Sequence, residues 1–301
     1  MQPLSIHIDP TRCNGCKICV NICPARAFNV IDKKAVLTGS CSFACDHCAA
    51  ACPQSAISVE FVASETFDFT SSPHDQGQNS SDTPISLPSL VLLMRSRRSC
   101  RLYQKKSVEK NILEDLVKIA ITAPSGTNSQ KWTFSIIDNR NRVIKFGAEI
   151  AAYFRKLNRQ AELAWLRKTL KFCGRPELDF YFKEYFESVN DGLNLWYEKG
   201  EDHLFHGASA TIIIGAHPGA SCPQDDALLA TQNILLAAEN MGLGTCLIGF
   251  AVEAMRRDRK IQTTLNIPTH EKIYSVIALG YPKIAFQRPT ARRKININWV
   301  D

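Results

Sequence analysis

Eight of the twelve cysteines fall within the 41 residues from Cys13 to Pro53, in two runs that each end in Cys-Pro. The first, Cys13-Asn-Gly-Cys16-Lys-Ile-Cys19-Val-Asn-Ile-Cys23-Pro24, has the C-x2-C-x2-C-x3-C-P spacing of thiolates that hold cubane iron-sulfur clusters. Three thiolates on one tight loop reach three corners of a cluster. The fourth, carried onto the following helix, points at a different cluster, so two runs are needed to complete two sites. The second run, Cys41-Ser-Phe-Ala-Cys45-Asp-His-Cys48-Ala-Ala-Ala-Cys52-Pro53, has three residues rather than two between its first pair. That departure leaves open whether it completes a second cluster. Paired Cys-x2-Cys spacings also suit tetrahedral zinc, which would make a colourless zinc-ribbon binding module. Zinc, however, needs neither the third cysteine of each run nor the prolines. A disulfide framework fits a reducing compartment poorly. The other four cysteines, Cys100, Cys173, Cys222 and Cys246, are scattered and read as small core residues.

A second group of residues suits a phosphorylated, flat, polar-edged cofactor. Arg97, Arg98, Ser99 and Arg101 form a basic turn that in isolation would read as a solvated surface. The turn Ala123-Pro124-Ser125-Gly126-Thr127-Asn128-Ser129-Gln130-Lys131-Trp132 follows, with short polar side chains able to hydrogen-bond a ring or ribityl chain. Its bland reading is a helix-ending turn. Gly242 and Gly244 read as a helix C-cap and tight turn. No Gly-x-Gly-x-x-Gly opens a helix after a strand, so no dinucleotide-binding Rossmann domain is expected. His203 and His206 are possible proton donors by type, but isolated histidines are more often structural.

The elements that must position these groups are visible in outline. Residues 1–61 contain an internal repeat: Ser5 to Ile8 with Ala27 to Ile31 mirrors Ala35 to Thr38 with Ala56 to Phe61, each half carrying one cysteine run. So small a unit has little apolar core, and clusters would supply much of its stability. Residues 62–86 have no Lys or Arg and are rich in Ser, Asp, Gly and Pro, which reads as a linker that Phe67 and Phe69 could dock on a surface. Leu87 to Met94 is helix-like, and Ser107 is the expected N-cap of a second helix. In that helix Leu113, Leu116, Val117, Ala120 and Ile121 share one face. A strand is expected over Thr133 to Ile137. The stretch from Gly147 to His206 is rich in aromatics, expected mostly in core or dimer contacts, with the remainder walling a flat substrate pocket.

Composition narrows the function classes. At 301 residues two domains are expected. The net charge of +7 divides as +1 over residues 1–61, −4 over 62–86 and +10 over 87–301. The basic residues sit in short clusters among apolar segments, without an RNA or DNA motif, so phosphate-bearing cofactors suit them better than nucleic acid. No stretch approaches a membrane span, and the start has neither a basic region nor a long apolar run, so no secretory signal or membrane anchor is expected. A cytoplasmic location is the corresponding expectation.

These motifs together carry a resemblance. Arg-Arg-Ser-x-Arg followed by Ala-Pro-Ser-x-x-Asn-x-Gln-x-Trp resembles the nitroreductase family of FMN enzymes, and the front end resembles a bacterial ferredoxin with two 4Fe-4S clusters. Asp226 to Gly244 resembles the family's long core helix with its Gly-Leu-Gly exit. Leu279-Gly280-Tyr281-Pro282 and Arg292-Arg293 resemble its last strand and phosphate-binding tail. The family normally has proline where Lys131 stands, a departure that bears on the turn's conformation and charge.

The resemblance implies an α+β chain: a two-cluster ferredoxin-like domain over 1–61, a linker over 62–86, and over 87–301 a nitroreductase-like mixed β-sheet flanked by helices. It implies one cluster on Cys13, Cys16, Cys19 and Cys52 and another on Cys41, Cys45, Cys48 and Cys23. FMN is implied at Arg97, Arg98, Ser99, Arg101, Pro124, Ser125, Asn128, Ile248, Gly249, Arg292 and Arg293. A homodimer sharing two FMN sites is implied, with NAD(P)H or a redox protein as donor, since the family binds nicotinamide without a Rossmann domain. The expected activity is an oxidoreductase passing electrons from the clusters to FMN and on to a small flat acceptor such as a nitroaromatic or quinone. The alternative is an electron-carrier or redox-sensing module that serves a protein partner without turning over a small molecule.

Overall fold

The computed structural model describes residues 5–41, 45–60, 69–70, 85–286, 288 and 293–300. The chain divides into two units, Met1–Asp68 with Pro124–Gln130, and Phe69–Ala123 with Lys131–Asp301.

The first unit is the repeat expected from the sequence. Strand β1 (Ile6–Ile8), helix α1 (Ile18–Ile22) and strand β2 (Phe28–Ile31) are followed by β3 (Lys34–Leu37), α2 (His47–Ala50) and β4 (Ile57–Val59). The outer strands β1 and β4 pair antiparallel, as do β2 and β3. The halves match in backbone detail: Lys17 and Asp46 take left-handed φ just before the two short helices, and Arg26 and Ser55 do so three residues after each run's last cysteine. Among the described residues its buried apolar positions are Cys19, Ala27, Phe28, Ala35, Cys48, Ala56 and Ile57, two of them cysteines. Gly15, at φ +73°, could not be replaced without strain, because a Cβ there would lie 2.4 Å from the Lys33 carbonyl oxygen.

In the second unit α3 (Leu87–Ser96) starts at a Ser86 cap whose side chain accepts from the Ser89 N–H. Helix α4 (Lys110–Ala120) starts at Glu109, so Ser107 is not its cap, and no side chain caps this helix. Its apolar face is as expected, with Leu113, Leu116 and Ala120 buried. Strand β5 (Trp132–Ile137) leads into α5 (Arg140–Glu162), then α6 (Ala164–Phe172), α7 (Glu177–Glu184) and α8 (Phe186–Asn194). Strand β6 (Ala210–Ala216), α9 (Pro223–Asn240), β7 (Gly244–Leu247), α10 (Gly249–Arg257), α11 (Arg259–Thr264) and β8 (Lys272–Gly280) complete it.

The sheet order is β5-β6-β8-β7, with every strand pair antiparallel; its mixed character comes from a single parallel bridge, Ser99 to Thr245. Every residue of β6 is buried because both faces are covered. Ile213 faces a cluster with Phe146, Ile150, Phe205 and Met255, whereas Ile212 and Ile214 face one with Leu116, Ile234 and Leu279. Ala227, Ala230 and Ala238 on α9 are fully buried, small enough to bring that helix close to its neighbours.

Of the expected linker, only Phe69, Thr70, Ile85 and Ser86 fall among the described residues, so Phe67 lies outside them. Thr70 is tied to the buried carboxylate of Asp115, its N–H 3.3 Å from Oδ1 and its hydroxyl 3.4 Å from Oδ2. The expectation that all four scattered cysteines are core holds for Cys100 and Cys246 but not for Cys173 and Cys222, which are exposed. The latter two sit where helices begin and end, Cys173 closing α6 and Cys222 preceding α9. Among the described residues no helix is long and apolar enough to cross a membrane.

Candidate functional site

In the first unit the thiols are drawn together by loop geometry. Cys13, Cys16, Cys19 and Cys52 line one small cavity with Gly15, Ala35 and Ala56. Backbone donors aim at the sulfurs: Ala35 N–H to Cys13 Sγ at 3.3 Å, Ala27 N–H to Cys23 Sγ at 3.4 Å and Ala56 N–H to Cys52 Sγ at 3.3 Å. The last two occupy equivalent positions in the repeat. Such bonds stabilise anionic sulfur and help set a cluster's potential. Those from Ala35 and Gly15 hold the Cys13 thiol below its ordinary range. Burial instead pushes the Cys48 thiol up to about 11 and raises that of Cys19. A bound iron centre would overcome this, since a coordinating thiol is deprotonated by the metal. A convergent set of sulfur donors with N–H groups directed at it fits a 4Fe-4S cluster. Cys41 and Cys45 are half-buried, and residues 42–44, the irregular spacer between them, lie outside the described residues.

In the second unit a cavity of about 1090 Å³ is walled by aromatic residues of three helices. Tyr153 and Phe154 come from α5, Phe180 and Tyr181 from α7, and Phe250 from α10, with Tyr185 at the α7–α8 junction. Phe154 meets Phe250 edge-on at 5.4 Å between centroids, and Tyr185 does so at 6.2 Å. The Tyr181 hydroxyl is anchored 2.6 Å from Asn158 Oδ1, which fixes its ring. This is the minority role expected of the aromatic stretch. Others there are neither core nor wall: Phe172 is 94% exposed.

The polar side of this cavity includes Arg101, Ile248 and Gly249, three of the residues expected to hold FMN. Ile248 is pinned by its N–H bond to the Val276 carbonyl at 2.8 Å, so that α10 opens at the cavity with Gly249 as its first residue. The first N–H groups of a helix have no partner within it and favour an electron-rich ligand. His203 and His206 also line the cavity, on a loop organised by Asp202. The Asp202 carboxylate accepts from the N–H groups of Leu204, Phe205 and Gly207 and binds Arg140 Nη1 at 2.7 Å. Burial lowers the His206 pKa and outweighs the opposing charge of Asp202. At the rim Glu253 and Arg257 pair at 2.8 Å. A void of this size with a flat aromatic wall, a cation and a helix N-terminus fits an isoalloxazine with its phosphate tail.

The other expected FMN residues are not gathered there. Arg98 lines a different cavity, with Phe286 and Arg288. Its Nη2 donates to the Arg288 carbonyl at 2.8 Å, its guanidinium lies 4.8 Å from the Phe286 ring centre, and its Nε is buried without a partner. Arg97 ends α3, and Ser99 is held at the bridge to Thr245, where the neighbouring Cys100 N–H bonds the Thr245 carbonyl at 2.8 Å. Pro124, Ser125 and Asn128 belong to the segment grouped with the first unit. Thr127, Asn128 and Gln130 there take left-handed φ, and the Gln130 N–H donates to Ser125 Oγ at 3.0 Å. Lys131, the departure from the family's proline, donates from Nζ to the Gly219 carbonyl at 3.1 Å. Arg293 is exposed, and Arg292 lies outside the described residues. The sequence reading missed Asp202 and Arg140; an Asp two and three residues ahead of the N–H groups it caps was the available signal.

An antiparallel sheet between two helical layers, with a broad cavity opening at a helix N-terminus beside the strand ends, together with a cysteine-lined unit, defines a two-part redox protein. The Nitroreductase family profile matches residues 94–281, more than half of the chain, and the chain belongs to that family. A 4Fe-4S binding domain profile matches residues 5–30, which include the first cysteine run and not the second. The chain is 25% identical over 220 residues to a 4-nitrobenzoate reductase of Nocardioides sp. (strain LMS-CY), covering 65% of this chain and 83% of that protein. It is also 25% identical over 215 residues to iodotyrosine deiodinase 1 of Pongo abelii, covering 67% of this chain and 64% of the deiodinase, less than two thirds of the latter's length. In fold it is similar to a nitroreductase with bound FMN from Desulfitobacterium hafniense DCB-2, at TM-score 0.51 and 23% identity over 70% of this chain and 97% of that one. The protein is thus a nitroreductase-family oxidoreductase with an N-terminal 4Fe-4S domain.

Proposed function

We propose that this oxidoreductase takes electrons in through two 4Fe-4S clusters and delivers them by way of FMN to a small, flat aromatic or quinonoid acceptor. The observation that carries the reading is the joining, in one chain, of an eight-cysteine repeat to a family unit whose large cavity has aromatic walls and a cationic, N–H-bearing edge. The clusters supply one-electron steps, and FMN supplies a carrier that accepts electrons singly and releases them in pairs. The domain limits proposed are 1–61, 62–86 and 87–301.

The protein's own part is binding and positioning. Arg101 and the first N–H groups of α10, at Gly249 and Phe250, favour the electron-rich edge of the ring, with Ile248 holding the start of the helix in place. Tyr153, Phe154, Tyr181 and Phe250 offer faces and edges for a flat acceptor and exclude water from it. His206, neutral near pH 7 because burial lowers its pKa, is an acceptor or donor of a hydrogen bond there rather than a fixed cation. Support is strongest for Arg101, Ile248 and Gly249, which share one cavity. Arg97, Arg98, Ser99, Pro124, Ser125, Asn128, Arg292 and Arg293 rest on the sequence resemblance, as do the eight cysteine assignments in part. A homodimer, a cytoplasmic location, and NAD(P)H or a redox protein as donor complete the reading. The names of the relatives favour a substituted aromatic ring as acceptor.

The test is anaerobic. Holoprotein with reduced clusters and flavin is mixed with 4-nitrobenzoate or a benzoquinone, and flavin and cluster absorbance are followed separately. Reoxidation with turnover is expected, together with at least ~10-fold weaker FMN retention in Arg101→Ala, a charge-assisted contact being worth roughly 1.5–3 kcal/mol. Reoxidation by a partner redox protein and by no small acceptor would replace this reading with an electron carrier.

A further inference from the structure

In the second unit, the end of one strand of the central sheet and the start of its neighbour bring three potential metal ligands together. His217 follows β6 directly, and His270 and Glu271 directly precede β8. A bulge at Ile214/Gly215 resets the pairing so that Ala216 lies opposite Lys272. One residue further along the same antiparallel register, His217 stands opposite Glu271. Gly215 is needed for this approach, since a Cβ there would lie 2.7 Å from the Lys272 carbonyl oxygen. One donor atom from each of His217, His270 and Glu271 lies within 4.8 Å of the other two.

Three further observations distinguish the cluster from a chance gathering of surface groups. The two imidazoles are stacked, 5.6 Å between centroids and 24° from parallel. Two rings on one tetrahedral ion with metal–nitrogen bonds of about 2.0–2.1 Å would have their centres roughly 5 Å apart, so the observed separation is near the ligated one. Glu271 is 9% exposed as a residue, the two histidines are exposed, and no ion pair of the Glu271 carboxylate is found among the described residues. Finally, the backbones of His217 and Glu271 are held. The His217 N–H bonds the Lys131 carbonyl at 2.9 Å, the Glu271 N–H bonds that of Pro268 at 3.0 Å, and Gln262 Nε2 donates to the Glu271 carbonyl at 3.0 Å. The nearby Lys131 ammonium is occupied at Gly219. A cluster whose ligands are already placed loses little entropy on closing around an ion.

We propose that His217, His270 and Glu271 form a binding site for a divalent transition metal ion of the Zn2+ type, which clips the exit of β6 to the entry of β8. Two imidazoles and one carboxylate are the donors such ions take, and hard Mg2+ or Ca2+ would find too few oxygens. The fourth position is left to water.

The test uses the full chain with its clusters intact, kept anaerobic, and Zn2+ alone as probe. Calorimetric titration should give the wild type one more bound Zn2+ per chain than His217→Ala/His270→Ala. Glu271→Gln, which keeps the shape of the side chain, should weaken that ion's binding at least 10-fold. Zinc-edge absorption of the loaded wild type should show nitrogen and oxygen neighbours. Equal stoichiometry and affinity in wild type and both variants, or zinc bound through sulfur alone, would overturn the site.

Discussion

The two units reach a stable fold by opposite means. In the first, seven of the described residues are buried and apolar and two of them are cysteines, so the groups that would bind iron are also the groups that pack. In the second, β6 is buried on both faces between two separate apolar clusters, and its site is a cavity left beside a core that is complete without it. A unit of about 60 residues buries too small a fraction of its surface to be secure alone, whereas one of ~200 residues does not need the help. Cofactor and fold are therefore coupled in one unit and separable in the other.

The largest effect that would break this contrast follows from removing iron with a chelator under anaerobic reducing conditions. Amide hydrogen exchange should then show loss of protection throughout β2, β3 and β4, while β6 and α9 keep theirs. Retained protection in the first unit would mean that its small core suffices after all. The converse, a smaller effect, comes from Leu116→Ala, which empties a fully buried position of α4. A loss of about 2–5 kcal/mol is expected for such a truncation. Denaturant unfolding followed by the tryptophans of the second unit should shift accordingly, while cluster absorbance before the transition stays unchanged. Bleaching of the clusters in this variant under native conditions would show the two units to be one cooperative block.

The same contrast explains which parts could be read in the sequence. Cluster chemistry depends on spacing along the chain, so the cysteine runs and their repeat were visible, and the structure adds the equivalent N–H groups directed at Cys23 and Cys52. The face of α4 was likewise legible, being a helical period. The cavity was not, because it is assembled from α5, α7 and α10, nearly a hundred residues apart from Tyr153 to Phe250, and only packing brings them together. Aromatics such as Phe172 and Tyr181 look alike in sequence, yet one is in solvent and one is a wall. Arg98 looked equivalent to Arg101, but its guanidinium turns to Phe286 and the Arg288 carbonyl. Ser107 failed as a cap because Val108 is buried, the chain is still extended at Glu109, and the helix opens only at Lys110. His217 and His270 have no motif spacing at all; a bulged register is what sets them side by side.

The smallest effect concerns the cavity wall, where the second unit carries a polar group at some cost. Burial lowers the His206 pKa from its ordinary value of 6.5, with Arg101 and His203 adding to the shift and Asp202 opposing it. The folded state thus resists a proton that the unfolded chain accepts. His206 therefore contributes stability that is fully present above about pH 6.5 and is lost as pH falls through the lower folded value. His206→Asn removes the titrating group while keeping a residue that tolerates the left-handed φ of 57° found there. Unfolding of the second unit, read from exchange at α10 amides near pH 7.5 and near pH 5.5 (about one unit either side of the ordinary value), should weaken less on acidification in the variant than in the wild type. Identical pH dependence in the two proteins would show that this histidine is solvated well enough to titrate freely, leaving the cavity wall open to water at that point.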